Sequence, residues 1–173
     1  MIYLVLGGAR SGKSRHAQTL ATDLSKGDSV CYIATAQALD DEMADRIHRH
    51  QCDRPAHWHT QETTTALADS IARCMDTHRV ILVDCLTLWL NNLLLADDKV
   101  MADELDKFIS LIQTLPPTCE LILVSNETGL GVVPMGQLTR RFVDESGFLH
   151  QNVASCADKV VFCVAGLPMT LKG

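Results

Sequence analysis

The sequence predicts a doubly wound α/β fold, a mostly parallel sheet flanked by helices. Three observations predict it. Short runs of β-branched and leucine residues alternate with stretches of helical periodicity. The runs are apolar almost throughout, as parallel strands covered on both faces must be. Short connections return each helix to the same sheet.

Taken in order, "IYLVL" (2–6) is the first strand, and a helix over 13–25 follows it. "SVCYIA" (29–34) is the second strand, followed by helical patterns over 40–52 and 63–78. "VILVD" (80–84) leads into a helix over 86–96, in which Leu86, Trp89, Leu90, Leu93 and Leu94 keep helical spacing. Leu88 and Leu95 widen that apolar arc, which fits a helix buried on two sides or a subunit contact. A helix over 101–115 stops at "LPPT" (115–118). "ELILVS" (120–125), a helix over 137–156 and "KVVFCVA" (159–165) complete the pattern. Neither an internal repeat nor a low-complexity tract interrupts it, and 1–173 is expected to be one domain.

A chain of 173 residues buries roughly 70% of its unfolded surface in one core. The net charge of −6 argues against a broad nucleic-acid-binding face, while leaving room for a local phosphate site. The seven cysteines are scattered, and none forms a C-x-x-C pair. Cys31, Cys85 and Cys163 sit in or beside apolar runs, as free thiols acting as small hydrophobes do. That usage fits a reducing cytosol better than a disulfide framework. "MIYLVLGGAR" is not expected to be a signal peptide, and no apolar stretch reaches the roughly 20 residues of a membrane helix. A cytoplasmic location is expected.

"GGARSGKS" fits G-x-x-x-x-G-K-[ST] as Gly7, Gly12, Lys13 and Ser14, between a strand and a helix. In such a phosphate loop the glycines let the backbone curl until successive N–H groups point at phosphate oxygens. The helix N-terminus adds partial positive charge. The candidate cradle is Gly7, Gly8, Ala9, Arg10, Ser11, Gly12, Lys13 and Ser14. Lys13 is expected to neutralise β and γ oxygens, and the Ser14 hydroxyl to complete a Mg²⁺ shell. Asp84, at the end of an apolar strand, is the candidate second metal-shell group. Its structural alternative is a simple helix cap. The fold is thereby of P-loop NTPase type, binding a nucleoside triphosphate with Mg²⁺. Functional residues are expected beyond the carboxyl ends of the strands, at the P-loop, "TAQ" (35–37), Asp84, 125–134 and "GLP" (166–168). There "SNETGLGVVP" (125–134) is either a mobile loop over the ligand or a long connection.

"RIHRHQCDRPAHWHTQE" (46–62) gathers His48, His50, His57 and His59 around Cys52. In a helix, His48 and His50 point to opposite sides. His57 and His59 share a face only if extended, beyond Pro55. Neither pair matches a zinc spacing. A solvated face, a metal site and a nucleophilic histidine that attacks phosphorus are all open at this point.

Taken together, "GGARSGKSRHA", "YIATAQALDDEMADRIHRHQCDRPAHW", "VDCLTLWLNNLL", "SNETGLGVVP" with "RRFVDESG", and "VAGLPMTLK" cover nearly the whole chain. In this order they resemble the bifunctional adenosylcobinamide kinase/adenosylcobinamide-phosphate guanylyltransferase family of cobalamin biosynthesis. The resemblance implies a RecA-like P-loop sheet and a homotrimer. It selects His50 from R-I-x-x-H as the guanylylated residue, and His50 must be neutral to attack. Arg54, Trp58, Thr60 and Glu62 match the motif that follows. Arg54 is a candidate phosphate contact, and Glu62 a candidate for orienting a base or nucleotide. Two positions depart from the pattern: Thr128 in "NETG", and His150 where the family often has asparagine.

The reactions implied are phosphorylation of adenosylcobinamide by ATP or GTP, then transfer of GMP from GTP through His50 to adenosylcobinamide phosphate. The catalytic candidates are His50 and Lys13. Because the P-loop is built around β and γ phosphates, the 40–52 helix must lean over the nucleotide for His50 to reach the α-phosphorus. Two alternatives stand beside this reading. One is another small-molecule P-loop kinase without a covalent intermediate. The other is a non-catalytic nucleotide switch or zinc module.

Overall fold

Each strand that the apolar runs predict is present, and two further strands extend the sheet. The computed structural model describes residues 1–37, 45 and 54–173. Along the chain lie β1 (Ile2–Gly7), α1 (Lys13–Ser25), β2 (Val30–Ala34), β3 (His59–Glu62), α2 (Leu67–Met75) and β4 (Val80–Asp84). Then come α3 (Leu86–Leu94), α4 (Asp98–Gln113), β5 (Glu120–Asn126), α5 (Gln137–Cys156), β6 (Lys159–Val164) and β7 (Leu167–Lys172). The predicted helix over 40–52 lies outside the described residues, apart from Asp45.

The seven-stranded sheet has the order β3-β2-β4-β5-β1-β6-β7. Every pairing is parallel except β6 with β7. The two strands that the apolar pattern missed are the two edges. "HTQE" of β3 is mostly exposed and β7 exposed throughout. The signal used to find strands comes from burial on both faces, and an edge strand lacks it. Pro168 would also argue against a strand, and it is tolerated because β7 is an edge. Ala165 (φ 53°) and Gly166 (φ 81°) turn β6 into β7 through two left-handed residues, the conformation of a tight hairpin.

Three helices differ in length from their patterns. The helix predicted over 63–78 runs only Leu67–Met75. Tertiary hydrogen bonds hold its intended first turn as a loop: Trp89 Nε1 donates to Thr65 O (2.6 Å) and Asn92 Nδ2 to Thr64 O (3.0 Å). The helix predicted from 101 starts at Asp98, because Asp97 caps it by accepting from the Lys99 amide at 2.9 Å. It ends two residues ahead of the predicted 115, at Gln113. The helix expected over 86–96 ends at Leu94.

Period-2 alternation splits the core between the faces of the sheet. Tyr3, Val5, Tyr32, Val80, Leu82 and Val124 pack toward α1 with Ala17 and Ala21. Leu4, Ile33, Ile81, Val83 and Leu123 pack on the other face against α2 to α5. There the Trp89 and Phe108 rings meet edge-on with centroids 5.1 Å apart. Helix α3 is the buried helix of the two alternatives. Leu86, Trp89, Leu90 and Leu93 are enclosed, and Leu88 and Leu94 pack partly against the core on opposite sides. Leu95 alone of its apolar arc stands well out, at 63% exposure.

Two of the cysteines have a neighbour that the sequence did not show. Cys31 of β2 and Cys74 of α2 meet in the core, with Cα atoms 6.3 Å apart, a separation that a disulfide can span. A strand and a helix 43 residues apart in sequence meet there, a juxtaposition that no spacing rule shows. Cys85, Cys119 and Cys163 are buried free thiols, as expected for two of them.

Candidate nucleotide site at the carboxyl edge of the sheet

Strand register lines up the candidate residues along one edge. Ala34 pairs with Glu62 on one side and with Asp84 on the other. Asp84 pairs with Val124, while Gly7 pairs with Asn126 and with Cys163. All these positions lie at the carboxyl ends of their strands, where an open α/β sheet places its ligands. Parity adds the face: Val80, Leu82 and Asp84 alternate onto the α1 side of the sheet.

The phosphate loop leaves β1 at Gly7 and enters α1 at Lys13. Gly12 sits at φ 92° and takes the N-cap position with no side-chain cap. The first turn of α1 holds no acidic residue, so the free N–H groups of that turn meet no competing carboxylate. Arg10 adopts φ 55°, a sparsely populated conformation for a non-glycine residue. A Cβ on Gly7 would stand 2.7 Å from Cys163 O, and one on Gly12 3.0 Å from Gly166 Cα. The second approach, with the Gly166 amide donating to Ser11 O at 2.9 Å, makes the β6–β7 turn a buttress beneath the loop. Lys13 is buried, and its Nζ donates to Gly8 O at 3.2 Å, across the mouth of the curl. Ser11 Oγ is buried without a partner among the described residues. These atoms form a cradle of donors suited to an anion.

Asp84 is held from above by aromatic and cationic neighbours. The Tyr32 hydroxyl donates to Asp84 Oδ2 at 2.9 Å. Burial, and then the Asp84 charge, push the Tyr32 phenol well above its ordinary pKa, so it remains a donor. The Arg54 guanidinium lies 3.4 Å from the Tyr32 ring centroid and partly opposes that rise. Burial and the same carboxylate push the neighbouring Cys85 thiol up to about 11. Asp84 Oδ1 accepts no hydrogen bond from protein among the described residues. With the Ser14 hydroxyl it offers the hard oxygen ligands that Mg²⁺ prefers, so this donor set fits the ion. The peptide between Asp84 and Cys85 is cis. Thr35 straps this corner: its Oγ1 donates to Cys85 O at 2.7 Å and accepts from the Cys85 amide at 2.9 Å.

Glu62 stands apart from the phosphate loop. Four interstrand steps of about 4.8 Å separate β3 from β1, on the order of 19 Å in all. Glu62 therefore does not reach phosphates held in the cradle. It lines a cleft of about 530 Å³ with Ala36, Gln37 and Thr63 to Ala66. Arg54 is nearer the centre, since it reaches over β2 onto Tyr32 and lies 3.5 Å from Thr60 Oγ1.

On the other side of β5 a buried polar chain ends at the phosphate loop. The Asn126 amide donates to Thr87 Oγ1 (2.6 Å), which lies 3.0 Å from Ser125 Oγ. Ser125 Oγ is 2.7 Å from His150 Nε2, and His150 Nδ1 is 3.6 Å from Glu127 Oε2. The Glu127 amide donates to Gly7 O at 3.1 Å, and Glu127 Oε1 accepts from the Gly129 amide at 2.6 Å. Burial lowers the pKa of His150, while Glu127 opposes that shift.

The structure thus brings Gly7 to Ser14, Asp84 and Arg54 to one edge and one face, and sets Glu62 at the far end of that edge. His50 and His48 lie outside the described residues. His57 is exposed, and the His59 ring stacks on His78 with centroids 5.5 Å apart. Among the described residues no group of three or more His, Cys, Asp or Glu side chains is placed to hold a metal ion. Sequence reasoning missed Tyr32 and the linking of Thr87, Ser125, His150 and Glu127 into one chain, whereas Thr35 and Gly166 lie in strand-end stretches it singled out. For Tyr32 a signal was present in the polar phenol within an otherwise apolar strand. The loop over 125–134 is anchored at Glu127, and Leu130, Val132 and Val133 stand out on its surface.

Comparison with known proteins agrees with this geometry. The family model described as cobinamide kinase / cobinamide phosphate guanyltransferase matches residues 3–171. A bifunctional adenosylcobalamin biosynthesis protein CobP of Pseudomonas aeruginosa is 56% identical over 98% of this chain and 96% of its own length. A bifunctional adenosylcobalamin biosynthesis protein CobU of Salmonella typhimurium is 40% identical over 99% of this chain and its own full length. Among solved structures, the flagellar accessory protein FlaH of Methanocaldococcus jannaschii superposes with a TM-score of 0.57 over 99% of this chain and 77% of its own, at 15% identity. That last likeness bears on the fold alone. No helix among the described residues is long and apolar enough to cross a membrane. With a phosphate loop in place at the sheet edge and full-length relatives on this scale, the chain belongs to the cobinamide kinase / cobinamide phosphate guanyltransferase family.

Proposed function

We propose that residues 1–173 act as one catalytic unit that phosphorylates adenosylcobinamide and then transfers GMP to the product through His50. The observation that carries this reading is the phosphate loop with Lys13 across its mouth and Asp84 on the same face of the sheet. In the kinase step the amides of Gly8 to Ser14 and the Lys13 ammonium hold the phosphate tail of ATP or GTP. Charge that develops on the transferring group is met by donors already in place. Ser14 and Asp84 would hold Mg²⁺, which supplies charge neutralisation on the phosphate oxygens. Tyr32 fixes the rotation of the Asp84 carboxylate, and Arg54 adds positive charge above it.

In the guanylyl step the neutral His50 imidazole attacks the α-phosphorus of GTP and pyrophosphate leaves. The phosphate of adenosylcobinamide phosphate then displaces the imidazole. The cleft beside Glu62 is the candidate seat for a nucleotide base. A homo-oligomer, a trimer by resemblance, is supported by the exposed edge strand β7 with Leu167, Met169 and Leu171 uncovered. The cysteine usage beyond the Cys31–Cys74 pair supports a cytoplasmic site of action.

Assaying the two steps separately tests the reading. Lys13→Ala is expected to weaken ATP-dependent phosphorylation of adenosylcobinamide by about 10²-fold, the scale of a lost charge-assisted contact to phosphate. His50→Asn is expected to keep that phosphorylation and lose formation of adenosylcobinamide-GDP. Undiminished kinase turnover in Lys13→Ala would contradict the phosphate-loop role.

A further inference from the structure

We propose that Glu127 takes the proton of the acceptor alcohol in the kinase step, and that His150 is the positioning residue that aims its carboxylate. This rests on the kinase reading of the phosphate loop and assigns it a base. Glu127 follows directly on β5, the strand between β4 and β1. Its amide is bonded to Gly7 O, so its backbone is fastened to the first residue of the phosphate loop. The side chain is mostly enclosed, with 20% of its surface left open. One oxygen is held by the Gly129 amide at 2.6 Å, and the other faces His150 Nδ1. A carboxylate needed only as a turn bond would satisfy itself with Gly129 and leave its second oxygen to water. Here that oxygen is backed by a histidine which is itself backed by two buried hydroxyls.

The carboxylate facing Nδ1 selects the order of donors in that chain. The Asn126 amide donates to Thr87, so Thr87 accepts there and can donate onward to Ser125. Ser125 then donates to His150 Nε2, which leaves the ring proton on Nδ1, pointing at Glu127. The reverse order would turn an Nδ1 lone pair toward a carboxylate. Burial favours the neutral ring, as this one-way chain requires. At 3.6 Å the pair is longer than a hydrogen bond, and the proposal requires it to close when substrate binds. The step balances without another reactant. The alcohol O–H bond breaks and its proton goes to the Glu127 carboxylate. The alcohol oxygen bonds the γ-phosphorus, the bond to the β-phosphate oxygen breaks, and the nucleoside diphosphate leaves. The carboxyl then releases its proton to water.

The test measures ATP binding and ATP-dependent phosphorylation of adenosylcobinamide by the full chain. Wild-type protein comes first: no phosphorylation there would overturn the kinase reading together with this assignment. With wild type active, Glu127→Gln, whose amide oxygen can still accept from Gly129, is expected to lower kcat by about 10²-fold or more with the ATP Kd within about threefold. His150→Ala is expected to lower kcat by about tenfold. The double variant is expected to be no slower than Glu127→Gln alone, because His150 acts only through Glu127. If Glu127→Gln fails to fold, Glu127→Asp replaces it, with reduced kcat and retained ATP affinity expected. A kcat within about threefold of wild type in Glu127→Gln overturns the proposal, as does a parallel loss of ATP binding. Additive losses in the double variant overturn the part assigned to His150.

Discussion

Gly166 Cα stands 3.0 Å from the point where a Cβ on Gly12 would lie, and the Gly166 amide donates to the carbonyl of Ser11. The phosphate loop therefore rests on a hairpin more than 150 residues away in sequence, and the two glycines carry different demands. Gly12 needs both a left-handed backbone (φ 92°) and open space toward Gly166. At Gly166 the backbone is left-handed (φ 81°), but a Cβ there would meet nothing within 4 Å. Gly12→Ala is expected to cost about 1–2 kcal/mol of backbone strain plus a displaced loop, and to abolish measurable ATP binding. Gly166→Ala is expected to cost only the strain, about 1–2 kcal/mol, with ATP binding retained. Thermal melts and nucleotide titration of both variants check the contrast.

Tyr32 supplies the hydrogen bond that orients Asp84, while its ring carries Arg54. Tyr32→Phe keeps the ring and removes the donor. About tenfold more Mg²⁺ is then expected for half-maximal nucleotide binding, with the fold intact, since one charge-assisted bond of about 1.5 kcal/mol is lost. Titrating Mg²⁺ against binding of a nucleoside triphosphate measures it. An unchanged Mg²⁺ requirement would remove Tyr32 from the site.

His150 also links the site to folding. Burial holds its pKa below the ordinary value of about 6.5, so the unfolded chain binds its proton more readily than the folded one. This contribution to stability is present above about pH 6.5 and is lost as pH falls from there through the folded pKa. His150→Asn removes the titrating group, and its melting temperature is expected to fall less steeply between pH 7 and pH 5 than that of wild type. Parallel melting curves across that range would contradict the assignment. His78, whose pKa is also lowered by burial, is common to both proteins and cancels in the comparison.

How much of this was legible in the sequence depends on what each residue type signals. The five central strands announce themselves because both faces are buried, so "VILVD" and "ELILVS" read as strands without ambiguity. Strands β3 and β7 did not, because an edge position relaxes the apolar requirement that the pattern detects. The cradle from Gly7 to Ser14 was readable because a tight anion-binding turn admits few sequences. Asp84 was readable as a carboxylate at a strand end. Its partner Tyr32 was not, since strand pairing sets the 52-residue separation between them. The same holds for Ser125 and His150, which meet only because α5 packs beside α3 and against β1. His150 drew notice as a departure from the family pattern, but its contact with Glu127 is a property of the folded chain.

The central claim is that one protein grips a triphosphate in its main-chain cradle and passes the nucleotide through an imidazole. Incubating the wild-type chain with GTP labelled in its α-phosphate, without acceptor, tests it most directly. Protein-bound label is expected that is released by acid, maps to the peptide carrying His50, and is discharged on adding adenosylcobinamide phosphate. A chain that phosphorylates adenosylcobinamide normally yet carries no label at His50 would contradict it.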